Sequence, residues 1–331
     1  MSPSPSDIIK DAQKSHWVYR APQSWRPYLQ LSRLDRPIGY WLLALPGWIG
    51  LAFAGLSRGL ESADLKWAVL LFIGAVAMRG AGCTYNDIVD QDLDRQVTRT
   101  ALRPLPAGTI TTKQAWIWLF AQCFIGLAVL LCLPRLAQII ALCAIPLVAA
   151  YPFMKRITWW PQIWLGLTFN WAVLVAYAIK TSSISQSVLI LYAGLIFWTV
   201  GYDTVYACQD KEDDALIGIK STARRFGAYV RPAVAICFIV MTALLFRAIG
   251  LEIIQMANPG IEGGFWSKFA RTQLLKPAFG LIALLCALLL SIAYSLDKEG
   301  KNALGLFKLN RWIGFYIVSL LICLNFLWGF N

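Results

Sequence analysis

WAVLLFIGAVAMRGAGCTYNDIVDQDLD, residues 67–94, is the stretch whose reading decides the fold. Its first part, to about Asn86, is an apolar run long enough to cross a bilayer as a helix at 1.5 Å per residue. It then turns acidic: Asn86, Asp87, Asp90, Asp92 and Asp94 follow within nine residues. Asn86, Asp90 and Asp94 are spaced i, i+4, i+8, which places three oxygen-bearing side chains on one face of a helix. A stripe of carboxylates at the end of a membrane helix is costly unless a cation sits on it.

Runs of membrane length recur along the chain, at about 38–57, 67–86, 114–133, 135–153, 160–180, 186–208, 230–250, 274–295 and 310–329. This predicts an all-α polytopic membrane protein with nine transmembrane helices. Leu133-Pro134-Arg135 reads as a tight hairpin, and Pro146, Pro152 and Pro161 as kinks or ends. The composition agrees: 331 residues, 58% hydrophobic, 15% charged, mean hydropathy +0.58. Residues 1–25 form a polar tail with no apolar core of the signal-peptide kind, so the first membrane helix is expected to act as an uncleaved anchor. Residues 26–37, RPYLQLSRLDRP, read as a short amphipathic interfacial helix.

The basic residues set the orientation. With the N-terminus inside, twenty-one Lys and Arg fall on the inner side and eight on the outer, and Arg79 lies within a span. Both acidic clusters, 86–94 and 210–214, then lie on the cytoplasmic side. The net charge of +12 fits inner loops facing anionic lipid. No basic face is interleaved with aromatics, so nucleic acid is not expected as a partner. The eight cysteines make no C-x-x-C pair and read as small packing residues, and His16 is the only histidine. Zinc and histidine-based chemistry are therefore unsupported.

The second acidic cluster extends backwards, since Asp203, Asp210 and Asp214 are spaced i, i+7, i+11 and share a helical face. Two acidic stripes at one membrane surface would repel unless divalent cations neutralise them. The ligands are all hard oxygens, which favours Mg²⁺. Mg²⁺ held by few carboxylates completes its shell with water and phosphate oxygens, so a phosphorylated substrate is implied. Arg95, Arg99, Arg103, Lys155, Arg156, Lys220 and Arg224 fall on the same side and suit a diphosphate. Tyr151 and Lys155 are four apart and can share a face. Arg79, buried in a span, either meets an anionic substrate or acidic partner, or snorkels to the interface.

At this point the motifs match a known family. The segments LDRPIGYWLLALP (34–46), MRGAGCTYNDIVDQDLDRQVTRTALRPLPAG (78–108), YPFMKRITWWPQIWLG (151–166) and YDTVYACQDKEDDALIGIKSTARRFG (202–227) resemble the UbiA superfamily of intramembrane aromatic prenyltransferases. Asn86-Asp87-x-x-Asp90-x-x-x-Asp94 fits its first motif and Asp210-x-x-x-Asp214 its second. Within the superfamily, the RPLPAG, YPFMKR and GIKST segments resemble the bacterial branch that prenylates 4-hydroxybenzoate for ubiquinone. The resemblance covers roughly residues 30–230. Residues 251–276 form a longer outer-side connection than the family pattern implies.

The resemblance implies a nine-helix bundle, residues 26–331, around a central cavity open to lipid under a cytoplasmic cap, in a bacterial inner membrane. It implies transfer of a polyprenyl group from polyprenyl diphosphate to the carbon ortho to the hydroxyl of 4-hydroxybenzoate. Asn86, Asp90, Asp94, Asp210 and Asp214 would hold Mg²⁺ on the diphosphate, with Lys155, Lys220, Arg95 or Arg99 adding charge. Tyr151 and Phe153 would face the allylic cation. Arg79 and Arg36 would hold the acceptor's carboxylate. Asp203 would accept the phenol's hydrogen bond or steady a metal ligand. Asp87 and Asp92 have no assigned place. The rival readings are a UbiA-type enzyme with homogentisate, a naphthoate or a porphyrin as acceptor, and a cation transporter. A transporter would put its acids near mid-membrane on broken helices, whereas here they sit at helix ends.

Overall fold

The computed structural model describes residues 16–96, 100–211, 215, 218–255, 265–297 and 299–329. Among them the secondary structure is helical, with turns and no strands. In chain order the helices are α1 (Arg26–Leu31), α2 (Ile38–Arg58), α3 (Ala63–Val89), α4 (Gln91–Gln96), α5 (Thr112–Leu131), α6 (Arg135–Leu142), α7 (Ile145–Ile157), α8 (Pro161–Phe169), α9 (Ala172–Thr181), α10 (Gln186–Ala207), α11 (Thr222–Phe226), α12 (Val230–Gln255), α13 (Phe265–Ser295) and α14 (Ala303–Gly329). Nine stretches among the described residues are long and apolar enough to span a membrane, and each overlaps one expected from the sequence. Two of them are pairs of half-helices: α6 with α7, and α8 with α9.

Local sequence explains the ends. At α5 the Thr111 side chain accepts from the Gln114 N–H at 3.2 Å, while Gln114 Oε1 accepts from the Thr111 N–H at 2.9 Å, a reciprocal capping box. Pro146 and Pro161 stand in the first turns of α7 and α8, where proline has no helical hydrogen bond to lose. Pro152 lies inside α7 without ending it, so only two of the three prolines mark boundaries. The connection expected over 251–276 is shorter than that. Helix α12 runs on to Gln255 and α13 begins at Phe265, leaving residues 256–264 outside the described ones.

The chain forms two compact units, Met1–Leu43 with Phe72–Cys132 and Ala44–Leu71 with Leu133–Asn331. In the first, Leu31, Leu105, Ile110 and Ala115 make a buried core under Tyr28, Ile88 and Trp118. A buried polar chain runs beside it. Trp118 Nε1 donates to Ser32 Oγ at 2.7 Å, Ser32 Oγ donates to Gln122 Oε1 at 3.1 Å, and Gln122 Nε2 donates to Thr84 Oγ1 at 3.2 Å. In an apolar setting such groups are tolerated only when they satisfy one another, so this chain fixes α1, α3 and α5 in one register.

In the second unit the break between α8 and α9 is bridged by Asn170. Its Nδ2 donates to Gly166 O, Leu195 O and Thr199 Oγ1 at 2.8–3.1 Å. Gly50 lets α2 approach α9, since a Cβ there would stand 2.6 Å from the Val173 carbonyl. Lys180 Nζ donates to Gly59 O and to Asp64 Oδ2 at 2.7 and 2.6 Å, tying the turn between α2 and α3 to the end of α9. Glu252 on α12 is buried and accepts from the hydroxyls of Tyr177, at 3.0 Å, and Ser187.

Candidate functional site

The first acidic stretch is built by the end of α3 and by α4. The helical backbone continues across the break: Asp90 N–H donates to Asn86 O at 2.9 Å and Asp94 N–H to Asp90 O at 2.8 Å. The expected i, i+4, i+8 stripe therefore exists. Asp90 and Asp94 are buried and Asn86 is half-buried.

Asp87, unplaced by the sequence, meets two guanidinium groups. Its Oδ1 lies 2.6 Å from Arg33 Nη2 and 3.3 Å from Arg103 Nη1. The same Arg103 nitrogen lies 2.6 Å from Asp94 Oδ2. Arg103 is itself buried and stands on the loop that follows α4, where Thr100 Oγ1 donates to the Asp94 carbonyl at 2.8 Å. Asp92 and Arg95 pair at 3.4 Å on the exposed side, so Asp92 and Arg95 face away from the buried acids. Arg99 lies outside the described residues.

Arg33 has φ +56°, one of two non-glycine residues described in the left-handed region. It follows α1, where Arg33 N–H donates to Gln30 O and Leu34 N–H to Leu29 O, the paired bonds of a Schellman ending. Glycine is usual at that position, and an L side chain there costs about 1–2 kcal/mol.

Arg79 and Arg36 belong to the same unit. Arg79 sits two turns before Asn86 on α3, against Gly39 at the start of α2, where a Cβ would stand 2.7 Å from Arg79 Nε. Arg36 Nε is 3.8 Å from Asp35 Oδ2, and Asp35 also accepts from Tyr19 OH at 3.3 Å. Burial pushes the Asp35 carboxyl above its ordinary range, against the opposing charges of Arg36 and Arg33. Burial, with the Asp35 charge behind it, pushes the Tyr19 phenol up to about 12.

The second unit carries the other predicted residues. Asp203 is half-buried on α10, and Asp210 ends a 3-10 turn, Cys208–Asp210, that replaces the continuous helix expected there. A 3-10 turn advances about 120° per residue rather than 100°, so Asp203 and Asp210 share a face only within about 40°. Asp214, Glu212 and Asp213 lie outside the described residues. Tyr151 and Lys155 stand one turn apart on α7 as expected, both half-buried. Phe153 is on the outward face of α7 and 39% exposed, because a two-residue offset turns it about 200° from Tyr151.

The structure joins the YPFMKR and GIKST segments. Lys220 N–H donates to the Lys155 carbonyl at 3.1 Å, and Lys220 Nζ donates to the Ile157 carbonyl at 3.1 Å. Arg224 lies over the Trp159 ring at 5.3 Å, and Trp160 meets Phe226 edge-on at 5.6 Å. The start of α11 is anchored in turn: Thr222 N–H donates to Gln162 Oε1 at 3.1 Å, and the Thr222 and Thr204 hydroxyls are 2.6 Å apart. The α7 cation pair, the α11 loop and the end of α10 are thus one packed assembly.

Residues 43–313 match the UbiA prenyltransferase family. The chain belongs to this family. Among relatives of this UbiA member, a human protein named mitochondrial 4-hydroxybenzoate polyprenyltransferase is 50% identical over 220 residues, covering 65% of this chain and 58% of that protein. The Arabidopsis thaliana protein of the same name is 44% identical, covering 66% and 53%. The matched part of the chain therefore spans less than two thirds of either relative. A 4-hydroxybenzoate geranyltransferase from Lithospermum erythrorhizon is 46% identical, covering 66% and 71%. A solved UbiA homologue from Aeropyrum pernix superposes with a TM-score of 0.62 at 24% identity, covering 86% of this chain and 98% of that one. One from Archaeoglobus fulgidus, bound to GPP and Mg²⁺, superposes at 0.64 with 20% identity, covering 91% and 99%. At those identities the likeness establishes the UbiA fold, and with it an integral membrane protein.

Reading the UbiA motif as a spacing of acids missed Arg33, and it read Arg103 only as one of several cations suited to a diphosphate. The pairing of Arg33 with Asp87, and of Arg103 with Asp87 and Asp94, is what the structure adds. Among the described residues no three His, Cys, Asp or Glu side chains cluster at metal-binding range.

Proposed function

We propose that this UbiA-family protein transfers a polyprenyl group from polyprenyl diphosphate to the ring carbon ortho to the hydroxyl of 4-hydroxybenzoate and releases diphosphate. The observation that carries the reading is the 44–50% identity to relatives named for that activity, in a chain whose UbiA family match, residues 43–313, includes both acidic motifs. The proposed catalytic domain is residues 26–331.

Mg²⁺ is the cofactor this reading requires, and the residues fit it. The donors are all hard oxygens, which suits an ion that completes its shell with phosphate oxygens and water. Asn86, Asp90 and Asp94, with Asp210 and Asp214, would hold it. That assignment rests on their matching D-x-x-x-D spacing, and the ion itself is suggested by the A. fulgidus homologue solved with GPP and Mg²⁺. Bound there, the ion would offset the negative charge that grows on the leaving diphosphate.

The chain's own residues do the rest. Lys155 and Lys220 add positive charge to the diphosphate as the allylic C–O bond breaks and its electron pair leaves with oxygen. Tyr151, one turn from Lys155, presents a ring face to the allylic carbon. Arg79 and Arg36 hold the acceptor's carboxylate and so orient the ring. The ring carbon then forms the new C–C bond to the allylic carbon, and its proton passes to the released diphosphate, which restores the aromatic ring. Asp203 accepts the phenol hydrogen bond and raises the ring's electron density. The membrane excludes water that would capture the cation. The prenyl tail lies among apolar side chains and lipid. The proposed membrane is a bacterial inner membrane, with the N-terminus and both motifs on the cytoplasmic face, as the distribution of Lys and Arg favours.

The test is prenyl transfer by purified protein in lipid, with radiolabelled geranyl and longer diphosphates and a panel of aromatic acids. Product from 4-hydroxybenzoate, lost with EDTA and in Asp90→Ala and Asp210→Ala, is expected. Preference for homogentisate, a naphthoate or a porphyrin would overturn the acceptor. Wild-type rates in both variants with Mg²⁺ present would overturn the metal assignment.

A further inference from the structure

We propose that Arg33 is a positioning residue for the first acidic motif, setting the orientation of Asp94 through Asp87 and Arg103. The inference rests on the Mg²⁺–diphosphate reading of that motif and deepens it.

Three observations carry it. First, Arg33 occupies a left-handed backbone position, φ +56°, where glycine would close the same turn without strain. A strained non-glycine residue that persists is held by something around it, and the visible hold is the 2.6 Å ion pair to Asp87. Second, Asp87 is 1% exposed and takes two guanidinium groups, from Arg33 and Arg103. Its charge is therefore committed within the protein, although it sits inside the motif. Third, Arg103 bridges Asp87 to Asp94 through one nitrogen, at 3.3 and 2.6 Å. The connected series Arg33–Asp87–Arg103–Asp94 runs from the end of α1 to the acid in α4, through groups that are mostly buried.

Ion pairs in such surroundings lock geometry, because each charge left alone there is costly. Removing Arg33 leaves Asp87 with one cation, and Arg103 is drawn toward it and away from Asp94. The side chain meant to meet the metal is then set wrongly while the fold is kept. A purely structural role would show as lost stability, whereas positioning shows as weakened metal binding at unchanged stability.

The full chain, purified in detergent, is titrated with Mn²⁺ in the presence of geranyl diphosphate and followed by electron paramagnetic resonance, beside thermal unfolding. Arg33→Gly removes the guanidinium and relaxes the turn. It is expected to raise the Mn²⁺ half-saturation ~10-fold, as loss of a group that orients a metal ligand does, with a melting temperature at or above the wild-type one. Arg33→Lys, keeping a charge in the same place, is expected to recover part of the affinity. Wild-type Mn²⁺ affinity in Arg33→Gly overturns the proposal and leaves the metal reading intact. So does a fall in melting temperature that accompanies any loss of affinity in both variants. Absence of Mn²⁺ binding in the wild type overturns the metal reading and this inference together.

Discussion

Gly39 and Arg79 are packed so closely that a Cβ on the glycine would stand 2.7 Å from Nε and 3.1 Å from Nη2 of the arginine. The guanidinium therefore crosses from α3 onto the bare backbone of α2, and the missing side chain at residue 39 sets where its charge lies. Gly39→Ala displaces the flexible end of Arg79 rather than the helix backbone. If Arg79 orients the acceptor, a shift of about 1 Å raises the KM for 4-hydroxybenzoate roughly tenfold or more. The KM for the prenyl diphosphate should change little. Steady-state kinetics with each substrate varied in turn checks it, and equal effects on both would remove Arg79 from the acceptor's carboxylate.

Lys220 holds the end of α7 twice, by its backbone N–H to Lys155 O and by Nζ to Ile157 O. Its ammonium thus sits at the negative end of a helix, beside the segment that carries Lys155. Lys220→Ala is expected to lower kcat/KM for the diphosphate about tenfold, the size of one charge-assisted contact. Lys220→Pro, which also deletes the N–H, should cost stability as well. Comparing the two variants by kinetics and melting temperature separates the charge from the stitch.

Glu252 is buried at 2% exposure, with two hydroxyl donors from α9 and α10 pointing at it. Glu252→Ala leaves Tyr177 and Ser187 without that acceptor and should destabilise the protein by about 1–3 kcal/mol. Glu252→Gln keeps an acceptor and should cost less. Thermal unfolding in detergent measures both. A Glu252→Ala variant as stable as wild type would show that the hydroxyls find other partners.

Asp35 gives a pH dependence with a definite sign. Burial raises its carboxyl above 3.8, against the opposing charges of Arg36 and Arg33, so the folded chain binds this proton more tightly than the unfolded chain. Its contribution to stability is complete below 3.8 and is lost as pH rises through the raised folded value. Asp297 runs the other way. Burial opposes ionisation, but the backbone N–H groups of Lys301 and Asn302, at 3.0 and 3.2 Å, hold its carboxyl below 3.8. Its contribution is present above 3.8 and fades as pH falls through the lowered value. Melting curves across acidic pH for wild type, Asp35→Asn and Asp297→Asn should therefore differ from wild type in opposite senses.

The sequence by itself determined the helical membrane class, the nine spans and the two acidic motifs. Lipid allows only backbones that satisfy their own hydrogen bonds, so apolar length is nearly sufficient to declare a span. It also determined the i, i+4 partners Asn86, Asp90 and Asp94, and Tyr151 with Lys155, since helical spacing alone fixes a shared face. What the tertiary structure decided is which charges are spent on one another. Arg33 and Arg103 lie 54 and 16 residues from Asp87 along the chain, and although Asp87 stands in the motif and Arg103 reads as a cation suited to a diphosphate, nothing in their spacing shows that they pair. Their pairing arises only when the end of α1 and the loop after α4 close on α3. The joining of Lys220 to α7 is of the same kind. Local periodicity encodes which face a residue occupies, whereas the partner it meets there depends on contacts between segments distant in sequence.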